Sequence, residues 1–212
     1  MPLDASHTRE KLVDEAARAF AKHGVYGASL IDITRRAGQR NRGALHYHFG
    51  SRAGVLAAVL ERHAGFLAQR EGELLKIALT RPKRDVKSVV EAIVRPAAEL
   101  AESGWRGRCY LVILAELIEE DPENLDPEVS AALARTGGYE VYALLASRMA
   151  DVSPAVQAER FAVATAFILR AAADRARALG RRGRRGRPQL DQAEFVDNLV
   201  AMVAAGMSAR ID

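Results

Sequence analysis

The chain has one cysteine, Cys109, so no intrachain disulfide can form, which suits a reducing compartment. Aromatic residues make up only 6% of the 212 positions, which argues against a β-rich core. No stretch approaches the roughly 18 consecutive apolar residues of a membrane-spanning helix. The Met1-Pro-Leu-Asp4 start has no apolar segment of the kind that opens a secretory leader. The expectation is a soluble cytoplasmic protein with no membrane association.

Catalytic and metal-binding patterns are missing too. His46 and His48 lie two residues apart and so point from different helix faces, a poor metal pair. His63 and Cys109 have no partners at ligand spacing. No Ser/His/Asp order or glycine-flanked nucleophile stands out. The Gly- and Arg-rich stretch 180–188 lacks both the phosphate-binding glycine pattern and the strand that should precede it. These absences predict no enzyme activity, no cofactor and no metal.

What the chain does have is Ala and Leu, and a 49% hydrophobic content sufficient for a sizeable helical core. The formal charge of +4 is unevenly placed. Residues 1–53 hold nine Lys/Arg against five Asp/Glu, whereas residues 54–180 hold sixteen against eighteen. Arg181–Arg187 adds five arginines, and the last 25 residues carry one Arg against four acids. A basic N-terminal module, 1–53, on a nearly neutral body, 54–212, is the reading.

Apolar spacing predicts about nine helices. Thr8 can cap the first, whose stripe of Leu12, Val13, Ala16, Ala17 and Phe20 ends at Gly24. Ser29 and Asp32 open a short second helix that Gly38 closes. Asn41 can cap a third short helix and Ser51 a long fourth one reaching about residue 80. Further helices fit 85–103, 108–120, 128–150, 154–179 and 189–209. The fold class is therefore all-α.

Two short helices joined by a glycine turn, the second opening with polar and basic residues, match a helix-turn-helix. The spacing points Leu45 and Phe49 inward and Arg42, Gly43, Ala44, Tyr47 and His48 outward. Small residues at 43 and 44 would let the backbone approach base edges, with Arg42 donating to guanine. Tyr47, His48 and Arg52 would reach phosphates. A solvated charged hairpin is the plainer alternative.

Residues 9–53 resemble the DNA-binding domain of the TetR family of bacterial transcriptional regulators. The resemblance rests on Arg9, Leu12, Ala16, Ala17, Phe20, Gly24, Ser29, Leu30, Ile33, Ala37-Gly38, the run Gly43–Phe49, and Ser51-Arg52. It implies that the second and third helices form the helix-turn-helix, that the third reads DNA, and that Arg52 touches a phosphate. The resulting DNA-binding set is Ser29, Arg40, Asn41, Arg42, Gly43, Ala44, His46, Tyr47, His48 and Arg52. This chain departs from the family pattern in a turn one residue longer near Gln39, in His46 for the usual Tyr, and in Arg52 for the usual Lys.

The resemblance further implies a larger helical domain that binds a small-molecule effector and pairs two subunits through its last two long helices. Candidate pocket residues are Phe66, Trp105, Tyr110, Glu116, Tyr139, Tyr142 and Met149. Candidate interface residues are Val163, Phe167, Phe195, Leu199 and Met202, and an intrachain hairpin is the alternative. The expected function is a ligand-responsive repressor that binds a palindromic double-stranded operator as a homodimer. The competing function is a helical small-molecule-binding or adaptor protein that binds no DNA.

Overall fold

The computed structural model describes residues 2–41, 43–149, 151–180 and 188–210. Ten α-helices occupy them: α1 Pro2–His23, α2 Leu30–Arg36, α3 Ala44–Phe49, α4 Arg52–Leu79, α5 Val86–Glu102, α6 Trp105–Leu117, α7 Pro127–Ala134, α8 Tyr139–Arg148, α9 Pro154–Gly180 and α10 Gln192–Met207. A short 3-10 turn, Pro122–Asn124, lies between α6 and α7. No strand occurs among the described residues.

Local chemistry explains most boundaries. Ser29 Oγ accepts from Asp32 N and caps α2, and Ser51 Oγ accepts from Gly54 N and caps α4. At the far end of α2 the chain turns at Gly38, whose φ of 75° suits a residue without a Cβ. Gly38 N then donates to Arg35 O and Gln39 N to Thr34 O, the two reversed bonds of a Schellman ending.

Three of the boundaries that differ from the sequence reading have a local cause. Helix α1 begins at Pro2, not after Thr8, because nothing in Asp4–Thr8 interrupts it and Pro suits a first helical position. Asn41 does not cap α3: its Oδ1 accepts from Gly43 N in a tight turn, and the helix starts at Ala44. The segment 128–150 is two helices, α7 and α8, parted by Gly137 and Gly138 at φ 92° and 86°. A Cβ on Gly137 would sit 2.6 Å from Glu71 Oε2 and 3.2 Å from Ala68 Cα, so the chain breaks where it presses on α4.

Helix α4 has 28 residues and thus spans about 42 Å. One core cluster packs α1, α2 and α3 against its first half, together with α6, α7 and the C-terminal end of α9. Leu12, Phe20, Ile33, Val55 and Leu60 are fully buried there. A second cluster, at the other end of α4, joins α5, α8, α9 and α10. The long helix therefore connects the N-terminal helices to the far end of the body.

Candidate nucleic-acid interface

Helices α2 and α3 present one surface because their other faces are anchored. Ile33, Thr34, Ala37, Ala44 and Leu45 are buried, and the Arg9 guanidinium lies 4.9 Å over the Phe49 ring. Left outside are Ser29, Arg35, Arg36, Arg40, Asn41, Gly43, His46 and Tyr47, with His48 half-buried. Tyr47 is 84% exposed, and the edge of one ring meets the other at 5.1 Å where it touches His48. Only Asp32 offsets the positive charge of α2, through its ion pair to Arg35 at 2.9 Å. Arg42 lies outside the described residues.

Two expected DNA contacts are placed otherwise. Ala44 is 7% exposed and packs into the core as the first residue of α3, so it cannot face a base edge. Ala44 adjoins inward-facing Leu45 at one helical step of about 100°, and the buried face of this short helix is wide enough to take in both. Arg52 points back into the protein. Its Nη1 donates to Val25 O at 2.7 Å and to Ala28 O at 2.8 Å, holding the α1–α2 turn. Residue identities show no such inward partner for the guanidinium, because backbone carbonyls leave no trace in them. Tyr26, exposed beside buried Val25 in that same turn, is not among the sequence candidates. An aromatic following Gly24 in a basic module is the available signal.

The same turn is tied to the body. Glu116 Oε1 on α6 accepts from Val25 N at 2.7 Å, so the backbone of Val25 is held on both sides. Asp14 on α1 makes a two-pronged contact with Arg106 on α6, at 2.6 and 2.8 Å, and also pairs with Arg62 on α4. Burial pushes the Asp14 carboxyl up, but hydrogen bonds from Arg106 and Arg62 outweigh it and hold the group below its ordinary value. Arg18 on α1 stacks 3.9 Å from the Trp105 ring.

The expected pocket residues do not form one site. Phe66 and Tyr139 face outward, Trp105 lies against Arg18 and Arg106, and Glu116 serves the Val25 N–H. Met149 is buried at the far end, beside a cleft of about 600 Å³ lined by Arg84, Arg148 and Arg160. Helical spacing marks a residue as apolar-facing without saying which neighbour it faces, so these candidates scatter. Tyr110 and Tyr142 do converge, on Glu71 of α4, which no sequence pattern singles out.

On α9 and α10, Val163, Phe167 and Met202 are exposed beside a groove of about 230 Å³. Ala158, Ala162, Ala166, Ala201 and Ala205 extend that face with small side chains. Phe195 is half-buried, with the Arg175 guanidinium 4.7 Å over its ring. Leu199 is 4% exposed and belongs to the intrachain core, which removes it from the expected interface. The apolar stripe of α10 reads as a single face in sequence, whereas the fold divides it between α5 and the outside.

Residues 12–59 match the model of bacterial regulatory proteins of the tetR family, and residues 91–206 match that of the tetracyclin repressor-like C-terminal domain. The chain belongs to the TetR family. Among curated relatives of this TetR-family chain, the HTH-type transcriptional regulator SrpR of Pseudomonas putida is 42% identical over 57 residues, 27% of this chain and 26% of SrpR. The HTH-type transcriptional regulator TtgR, also of Pseudomonas putida, is 40% identical over 58 residues, 27% of each chain. These matches therefore span about a quarter of the relatives' length.

Solved structures extend the likeness of fold over nearly the whole chain. The fatty acid degradation regulator FadR of Bacillus halodurans has a TM-score of 0.60 at 14% identity, covering 96% of this chain and 97% of that one. AibR, solved with isovaleryl coenzyme A and operator DNA, has a TM-score of 0.57 at 15% identity, covering 92% and 97%. No helix among the described residues is long and apolar enough to cross a membrane.

Proposed function

We propose that this TetR-family protein is a transcriptional repressor that binds a two-fold-symmetric double-stranded operator as a homodimer and releases it when a small-molecule effector binds the body. The observation that carries the reading is the exposed face of α2 and α3. It presents Arg36, His46 and Tyr47, with Arg40 in the turn between them, on two helices anchored from behind by Ile33, Thr34, Ala37, Ala44 and Leu45. Such an exposed, basic surface carrying one aromatic, Tyr47, suits a major groove and its flanking phosphates. Tyr26 and Ser29, at the rim, would contact the backbone.

The dimer follows from the exposed apolar face of α9 and α10, which pairs with a second copy so that two α3 helices read successive half-sites. Effector control follows from the ties between α6 and the α1–α2 turn, since any shift of α6 moves Glu116 and with it Val25. AibR and the FadR of Bacillus subtilis were solved with isovaleryl and stearoyl coenzyme A, which sets a precedent for effector binding on this fold. The site within this chain has its own chemistry.

Selection of preferred sites from a random duplex library by the full chain tests the reading. The expected product is a palindrome whose half-sites are spaced about one helical turn apart. Recovery of sequences with no shared motif would sink it. Tyr47→Ala should cut affinity for the selected site at least tenfold while leaving the fold intact, because the side chain is exposed and its ring meets only its neighbour His48.

A further inference from the structure

Four helices bring polar side chains to one place inside the body. Glu71 comes from α4, Tyr110 from α6, Tyr142 from α8, and Thr165 from α9 meets the Tyr142 hydroxyl at 2.5 Å. Two of these groups lack a partner. Glu71 Oε2 and the Tyr110 hydroxyl are buried with no hydrogen bond, and Tyr110 is 0% exposed. Both tyrosines are close enough to Glu71 that its charge adds to burial in raising their pKa. The rings of His63 and Phe161 wall the cluster, packed on Tyr110 and Tyr142 at 5.3 and 5.7 Å.

A core selected for stability alone would fill this place with apolar groups, since each unpaired buried polar atom costs about 1–3 kcal/mol. Burial pushes the Glu71 carboxyl up to about 7, and the backbone N–H of Gly138 only partly offsets that. Among the described residues, no Lys or Arg forms an ion pair with it. The site thus holds one carboxyl oxygen, Glu71 Oε2, without a donor, and a free Tyr110 hydroxyl between aromatic walls. An organic ammonium group suits both at once: N–H donors for Glu71 and Tyr110, and positive charge over ring faces.

We propose that Glu71, Tyr110 and Tyr142 form the polar end of the effector site and that the effector carries an organic ammonium head on an apolar body. This rests on the reading of the protein as an effector-responsive regulator. Glu71 accepts from the ammonium, Tyr110 adds a second contact, and Tyr142, fixed by Thr165, packs against the apolar part. Gly137 lets the α7–α8 turn close on Glu71, which restricts the carboxylate to the inner side of the turn.

The test uses the full chain without DNA and three pairs of probes: hexylamine against hexanol, phenethylamine against phenethyl alcohol, and hexylamine against hexanoate. Binding is measured by calorimetry and by the shift in unfolding midpoint at pH 8. The amines should bind at least tenfold more tightly than their uncharged or anionic counterparts. Glu71→Gln should remove that preference while leaving alcohol binding within twofold. Tyr110→Phe, which keeps the ring, should weaken amine binding several-fold.

Amine affinity should rise from pH 6 to pH 8 as Glu71 ionises, and it should be flat in Glu71→Gln. The groups facing Glu71 do not titrate in that window: both tyrosine hydroxyls are raised above their ordinary values and His63 is held at about 4. Equal binding of amines and alcohols overturns the proposal, as does an amine affinity unchanged by Glu71→Gln; the carboxylate then serves only the start of α8. Operator binding is assayed separately. A chain that holds its operator but prefers no amine loses this inference alone, and one that binds amines but no DNA loses the regulatory reading.

Discussion

At the scale of residues, His63 and Glu71 on α4 titrate in opposite senses, and their effects on stability oppose each other. Burial first, then the charges of Arg62 and Arg106, push His63 down to about 4 from its ordinary 6.5. The folded state therefore disfavours its proton, and stability is lost as pH falls from 6.5 through 4. Glu71 is raised from 4.5 to about 7, so the folded state favours its proton, and stability is lost as pH rises from 4.5 through 7. The Glu71 effect is worth about 3 kcal/mol at its limit, and the His63 effect less, because solvent screens its partly exposed ring. Between pH 4.5 and 6.5 the two partly cancel. His63→Gln should leave a midpoint that falls with rising pH over this window, and Glu71→Gln one that rises. Midpoints from urea titrations at half-unit steps measure both slopes, and parallel curves for the two variants would refute the opposition.

At the scale of elements, the α1–α2 turn is the joint between the helix-turn-helix and the body. Glu116 on α6 holds the Val25 N–H and Arg52 on α4 holds the carbonyls of Val25 and Ala28. Removing either side chain leaves part-buried backbone groups unpaired, at about 1–3 kcal/mol each. Glu116→Ala and Arg52→Ala should both lower the urea midpoint and speed hydrogen exchange at the Val25 amide. Arg52→Ala should leave the salt slope of operator binding nearly unchanged, because its guanidinium is engaged within the protein. A slope reduced by about two, with an unchanged urea midpoint, would return Arg52 to the phosphate contacts expected from sequence.

At the scale of the molecule, α9 and α10 separate two kinds of apolar residue that look alike in sequence. Phe167 and Met202 are exposed beside the groove, while Leu199 lies in the core with Val196, Val200 and Val203. Phe167→Glu should yield a folded monomer by sedimentation, with operator affinity at least a hundredfold weaker because two linked half-site contacts become one. Leu199→Glu should instead fail to fold, since it buries an unpaired charge. A dimeric Phe167→Glu would place the interface elsewhere.

The sequence by itself determined the helical class, the caps at Ser29 and Ser51, the turn at Gly38 and the basic helix-turn-helix, since these depend on residues within one or two turns of each other. Periodicity also finds the buried stripe of α1, because a single helix face is a local property. Only the tertiary structure decided what each inward or outward residue meets. Arg52 and Glu116 look like surface and pocket residues until the backbone of Val25, 27 and 91 positions away, takes their hydrogen bonds. Glu71 has no distinguishing neighbour in its polar stretch of α4, yet the break at Gly137 and the tyrosines of two other helices enclose it. Long-range packing sets those partners, and residue spacing along one helix carries no record of them.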